Sequence, residues 1–337
     1  MLTRVFHRWE RRLASVDSDR VIRPFEWGLD WIAGLERCDA DAAREHLDAW
    51  AGEAVSNSDR FFALDRCDEY TLHGEWLTFP SAVTTPHRAN NTVRARWLPE
   101  PSARGRRRAV LVMPQWNADE HGHVGLCRLL NRFGISALRL SLPYHDRRKP
   151  PELRRADYIV SANVGRTAQV CRQAVLDARR AIQWLSDQGY ESIGILGTSL
   201  GSCLAMLTAA HEPLIRAAAL NHISPYFADV VWRGLSTEHV RQGLDGQIAL
   251  EDLRKIWMPI SPFPYLERMR GKRVLLVYAR YDLTFPVDLS RTLVAEFSRR
   301  GVAHELTVLP CGHYSTGKTP FKWIDGLTLA RFLNRNL

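Results

Sequence analysis

The sequence has no apolar run approaching the ~18 residues that a membrane span needs. It has no Cys-x-x-Cys pair: Cys38, Cys67, Cys127, Cys171, Cys203 and Cys311 are scattered singly, which argues against a disulfide framework and suits a reducing compartment. The first twenty residues, MLTRVFHRWERRLASVDSDR, lack the apolar stretch and small-residue cleavage site of a secretory signal. These absences give the expectation of a cytoplasmic protein. Internal repeats and low-complexity linkers are missing too. Lysine is scarce, so the net charge of +9 is carried almost wholly by arginine. That arginine is dispersed rather than gathered into one stripe with interleaved aromatics, and no nucleic-acid-binding module accompanies it, so no nucleic-acid partner is expected. Its densest clusters, residues 104–108 and 147–155, fall in predicted loops. At 337 residues and 45% hydrophobic, the chain can bury a sizeable core, as one large α/β domain or two small ones.

Hydrophobic periodicity then divides the chain. Residues 1–68 read as a helical N-terminal extension. Leu2, Val5, Phe6, Trp9 and Leu13 follow helical spacing with Arg4, Arg8, Arg11 and Arg12 on other faces. Such a basic amphipathic helix either makes peripheral contact with an anionic membrane or packs on its own domain; packing is the favoured reading. A second helix is predicted over residues 39–55. Residues 69–337 form the main domain. TLHGEWLTF and TVRARWL alternate like half-buried strands. After them come short apolar runs at 109–113, 136–142, 193–196, 216–220, 273–278 and 304–309, separated by helical patterns near 124–133, at 161–188 and from Leu200. Continuous apolar strands alternating with helices predict a mostly parallel sheet covered on both faces, an α/β fold. Residues 221–271 carry no clear strand and read as a small helical cap inserted over the carboxyl edge of the sheet.

One motif carries chemistry. Gly197-Thr198-Ser199-Leu200-Gly201 follows a buried-strand run and opens a helix. A GxSxG there is a strand-to-helix turn that lifts the serine hydroxyl clear of the sheet, with the helix dipole beneath it. Serine needs a base, and the base a third group to hold its tautomer. In chain order, the apolar strand 274–278 leads to Asp282, and strand 306–309 leads through Gly312 to His313. Ser199 is therefore the candidate nucleophile, His313 the base and Asp282 the orienting acid, with Asp288 as the alternative acid. An oxyanion hole needs two backbone N–H groups: Leu200 supplies one, and Trp116 or Gln115, after the strand 109–113, the other. His121, His123, His145 and Asp119 match no defined metal-ligand spacing, so neither a metal nor a cofactor is expected. Trp116, Trp232, Trp257 and Tyr226 are candidates to line an apolar pocket or to pack beneath the cap.

From about residue 70 onward the chain resembles the α/β-hydrolase superfamily. The loop Pro143-Tyr144-His145-Asp146-Arg147-Arg148-Lys149-Pro150, followed by a long helix and the Ser199 turn, is similar to that of the branch named for abhydrolase domain-containing protein eighteen. The resemblance implies a serine esterase or lipase acting on a small-molecule or lipid-like ester. Tyr144, Arg147 and Arg148 are the candidate substrate contacts. Either the charges of this loop face the pocket and favour an anionic ester, or the loop is a solvated surface turn. Carboxylic ester hydrolysis through an acyl-enzyme is the expected activity. The alternatives on the same residues are a thioesterase, a peptidase, an acyltransferase, or a non-catalytic binding protein on a hydrolase scaffold.

Overall fold

The computed structural model describes residues 2–16, 19–32, 34–36, 38–100 and 107–337. Three helices come first: α1 (Leu2–Ala14), α2 (Ala40–Ser56) and the single turn α3 (Ser58–Phe61). Asp39 starts α2 by accepting the Ala42 N–H at 2.9 Å, which supplies one of the donors that a helix start leaves unpaired. In α1 the packed side is Phe6, Trp9, Glu10, Leu13 and Ala14, while Leu2, Val5 and the arginines 4, 8, 11 and 12 face solvent.

Among the described residues nine strands form one sheet in the order β1-β2-β3-β5-β4-β6-β7-β8-β9. They are β1 (Thr71–His73), β2 (Trp76–Pro80), β3 (Thr92–Leu98), β4 (Arg108–Met113), β5 (Ser136–Leu140), β6 (Ser192–Thr198), β7 (Ile215–Asn221), β8 (Arg273–Ala279) and β9 (Glu305–Leu309). The first three strands pair antiparallel, β3 joins β5 antiparallel, and every pair from β5 to β9 is parallel. Local sequence follows burial: β3 alternates one buried and one half-buried residue, whereas β4 and β6 are buried on both faces and read as largely apolar runs; β5 is as buried but carries Arg139, which is paired with Asp146.

Helices α4 (Val124–Arg132) and α11 (Phe321–Asn336) cover one face of this sheet, meeting Val110, Val112 and Leu196. Helices α5 (Val164–Asp187), α6 (Leu200–His211) and α10 (Val287–Arg299) cover the other, meeting Leu111, Met113 and Ile195. Residues 222–271 hold the helices α7 (Phe227–Arg233), α8 (Glu238–Leu244) and α9 (Leu250–Ile256) between β7 and β8; Asn221 itself still belongs to β7. No described helix is long and apolar enough to cross a membrane. Two loop assignments need correction. Arg104 and Arg106 lie outside the described residues, but Arg108 opens β4, its guanidinium donating to Phe133 O at 2.6 Å. Arg148 is not on a surface loop at all: it is fully buried, for reasons given below.

Candidate active site

Six loops leave the carboxyl ends of β4, β5, β6, β7, β8 and β9 and converge on one cavity, as open parallel sheets require of a ligand site. Ser199 sits between β6 and α6 at φ 56° and ψ −122°, a conformation that an L side chain rarely adopts. Two glycines permit it. A Cβ on Gly197 would lie 2.2 Å from Gly201 O, and one on Gly201 would lie 2.2 Å from Met113 O and 2.4 Å from Pro114 O. The second contact is also informative: it presses the start of α6, with the Leu200 N–H, against the loop that follows β4. Leu200 is therefore beside residues 114–116.

His313 follows β9, and its Nδ1 lies 3.0 Å from Asp282 Oδ2. Phe285 stacks on the imidazole at 5.5 Å and 2°. Asp282 is buried, with Oδ1 accepting the N–H groups of Thr284 (2.8 Å) and Phe285 (2.7 Å). Burial pushes its pKa up, but the adjoining His313 and the hydrogen bond from His222 outweigh that and hold it well below the usual carboxylate range. The carboxylate thus stays ionised and fixes Nδ1 of His313 as the protonated nitrogen, leaving Nε2 as the basic one. Ser199 and His313 line one cavity of about 1190 Å³. Among the described residues no hydrogen bond joins Ser199 Oγ to His313; such contacts commonly tighten only with substrate bound.

Asp288 is engaged elsewhere. It sits in the first turn of α10, largely exposed, and Arg233 engages both its oxygens at 2.8 and 2.9 Å.

A residue that the sequence reading passed over stands beside Asp282. His222, just after β7 at φ 57°, is buried, and its Nδ1 lies 2.8 Å from the same Oδ2 that meets His313. Burial disfavours its charged form, yet the hydrogen bond and charge of Asp282, helped by Asp325 and Glu10, raise its pKa above the ordinary value. Sheet order is the signal that would have found it: β7 and β8 are parallel neighbours, so residues just past both strands must meet. Asp325 of α11 is held by Asn221 Nδ2 at 2.9 Å, and its burial lifts the pKa to about 6. His222, Asp282 and His313 each offer one atom within 4.8 Å of the others.

The loop after β4 is pinned by a histidine too. His145 Nδ1 donates to Pro143 O (2.9 Å), so Nε2 accepts the Asn117 N–H (2.9 Å), and burial lowers its pKa to about 4. Asn117 Oδ1 in turn accepts the Ala156 N–H at 2.7 Å. With the Asn117 N–H consumed, the Gln115 and Trp116 N–H groups are the ones that bond to no described residue. The Trp116 side chain is fixed by Nε1 donating to Ala156 O (2.9 Å) and by stacking on His239. The remaining histidines do not gather. His123 Nε2 lies 3.0 Å from Thr198 Oγ1, and Asp119 accepts backbone N–H groups of His121 and Gly122.

The predicted substrate contacts separate. Tyr144 lines the cavity wall but is buried, its hydroxyl 3.0 Å from His87 Nδ1. Arg147 is exposed at the rim, 3.8 Å from Glu120. Arg148 points into the core, where it meets Asp177 (2.8 Å), Asn90 O (2.8 Å) and Ser141 O (2.9 Å), so it cannot serve a substrate. A guanidinium deprived of water needs these partners, and they lie behind the loop. Of the four candidate pocket aromatics, Trp116 lines the cavity; Trp257 is buried with Nε1 on Val164 O, Tyr226 packs on Phe263, and Trp232 lies under Arg241. The inserted helices contribute Phe227, Val230 and Val231 to the cavity wall, with Ser236 and Thr237 from the turn between them.

No protein-family model and no curated protein sequence matches the chain. Solved structures do resemble it. It is similar to Pyrococcus horikoshii acylaminoacyl peptidase, with a TM-score of 0.62 and 15% identity over 83% of this chain and 43% of that one, and so spans less than half of the peptidase. It is also similar to acetyl xylan esterase 1 of a Thermoanaerobacterium species, with a TM-score of 0.60 and 13% identity over 88% of this chain and 99% of that one. For a Pyrobaculum calidifontis esterase the TM-score is 0.51 and the identity 18%, over 91% and 96% of the two chains. At such identities the likeness is one of fold. With its mostly parallel sheet flanked by helices, the chain has the α/β-hydrolase fold.

Proposed function

We propose that the protein is a serine hydrolase that cleaves carboxylic esters through an acyl-enzyme. The observation that carries the reading is Ser199 held at φ 56° on the cavity wall, which it shares with a histidine whose Nδ1 is committed to a buried carboxylate. In this reading His313 Nε2 takes the Ser199 proton as Oγ bonds to the acyl carbon. The oxyanion forms between the Leu200 N–H and that of Trp116 or Gln115. The tetrahedral adduct then expels the alcohol, which leaves with the proton from His313. Water repeats the sequence on the acyl-enzyme and releases the acid. Neighbours named as esterases and as a peptidase support acyl transfer as the reaction class.

The finer substrate reading is a lipid-like ester, in line with the resemblance carried by residues 143–150. The cavity's size and the apolar Phe227, Val230 and Val231 suit a long acyl chain. We take helices α7–α9 as a cap over that chain. A panel of matched esters, thioesters and amides of graded acyl length tests this. Ester turnover should exceed amide turnover and rise with chain length. Preferential amide cleavage would move the assignment to a peptidase, and no turnover of any member, with Ser199 unreactive, to a binding protein.

A further inference from the structure

We propose that Glu10 of the N-terminal helix is a positioning residue for His313, so that α1 is part of the catalytic unit; its effect on turnover rests on the serine-hydrolase reading above. Glu10 is fully buried although it is a carboxylate. Its Oε2 accepts the Tyr314 N–H at 2.7 Å and its Oε1 the Ser315 N–H at 2.9 Å, and among the described residues these are its hydrogen-bond partners. On the other side of the base, a Cβ on Gly312 would lie 2.3 Å from Glu10 Cδ, so the carboxylate is packed directly against that residue. His313 is therefore bracketed: Gly312 rests on Glu10, and the next two N–H groups are held by it. Asp282 fixes the imidazole, and Glu10 fixes the backbone that carries it.

The rest of α1 and the segment after it touch the same loops. The Phe6 ring stacks on Tyr281, next to Asp282, at 4.4 Å and 9°. Arg20 Nη2 donates to the Tyr314 hydroxyl at 2.9 Å and to Ala14 O at 3.1 Å, tying the end of α1 to the residue after His313. Burying a carboxylate is costly unless it is well bonded, and neutral side chains can also accept N–H groups. A charged acceptor makes shorter and stronger bonds to N–H groups, which gives the loop less freedom to move.

The test uses the full chain with Glu10→Gln, an isostere in which an NH2 donor replaces one of the two oxygens that accept the Tyr314 and Ser315 N–H groups. Glu10→Asp serves where that variant does not fold, and Leu13→Ala, on the same packed side of α1, is the control for loosened docking. Two quantities are read: kcat and KM on a small activated ester, and the low-field proton resonance of the His313 Nδ1–H on Asp282, distinguished from that of His222 by a His313→Asn reference. The expectation for either Glu10 variant is a kcat lowered about tenfold or more at unchanged KM, with the His313 resonance shifted or broadened and that of His222 kept. Leu13→Ala should lower the melting temperature with kcat within about twofold. Unaltered kcat and an unmoved His313 resonance in the Glu10 variant would overturn the proposal, as would a parallel loss of kcat in Leu13→Ala. If the wild-type protein turns over no ester, the hydrolase reading has failed and the resonance alone decides: moved, Glu10 positions the histidine; unmoved, it does not.

Discussion

Replacing His222 with asparagine isolates the second imidazole on Asp282. Asparagine tolerates the left-handed backbone at position 222, where φ is 57°, so the variant loses the imidazole without added strain. Four hydrogen bonds reach the Asp282 carboxylate, from Thr284, Phe285, His222 and His313, and the substitution removes the one from His222, at 2.8 Å. A hydrogen bond to a charged group contributes about 1.5–3 kcal/mol, so the variant should unfold about 2 kcal/mol more easily near pH 6. The pH dependence follows from the direction of the shift. His222 has a raised pKa in the folded state, so its contribution is complete below about 6.5 and is lost as pH rises through the folded value. The stability difference should therefore shrink between pH 6 and pH 9. Asp282 has a depressed pKa, so its contribution is present above about 3.9 and lost at lower pH; without His222 that loss begins at a higher pH. Three bonds still hold the carboxylate that orients His313, so kcat should fall only about tenfold, or ~1.4 kcal/mol. Urea unfolding at pH 6 and pH 9 measures the difference. A gap of the same size at both values, or none at either, would refute the reasoning.

Asp282→Asn should lower kcat by about 10⁴, because an amide favours the wrong tautomer of His313, whereas Asp288→Asn should do little. The reverse ranking in steady-state kinetics would transfer the acid's role to position 288. Arg148→Ala leaves the buried Asp177 without its ion-pair partner, though Ser81 and Ala82 still donate to it, and should cost about 3–5 kcal/mol in denaturant unfolding. Arg147→Ala should stay within about 0.5 kcal/mol and raise KM, if at all, for anionic esters at low salt; equal unfolding costs would show that the two arginines are not in the different surroundings described. Val230→Ala with Val231→Ala enlarges the cavity wall made by α7 and should move the preferred acyl chain to greater length while acetate esters are still cleaved. Equal losses on all chain lengths would instead make α7 a support for the serine.

The parallel half of the sheet was legible because its inner strands are buried on both faces, and β4, β6 and β8 therefore appear as apolar runs. Ser199, Asp282 and His313 were legible as candidates because each follows a strand at a turn whose residue types are constrained. His222 was not. Asn221-His222 looks like any loop start, and its meaning comes from the adjacency of β7 and β8, which no local pattern encodes. Glu10 was not legible either: its backbone partners lie some three hundred residues away, and only the tertiary structure brings them to the packed side of α1. Arg147 and Arg148 were read as equivalent because loops have no periodicity to say which side chain turns inward. The core partner Asp177 lies in α5, and only the tertiary structure pairs it with Arg148.

Labelling with a fluorophosphonate reports whether Ser199 is an activated nucleophile. Intact-protein mass spectrometry should show one phosphonyl adduct on the wild-type chain, peptide mapping should place it on Ser199, and Ser199→Ala should be folded, unlabelled and without ester turnover. A wild-type protein that stays unmodified, or a Ser199→Ala variant that is still labelled and active, would contradict the account.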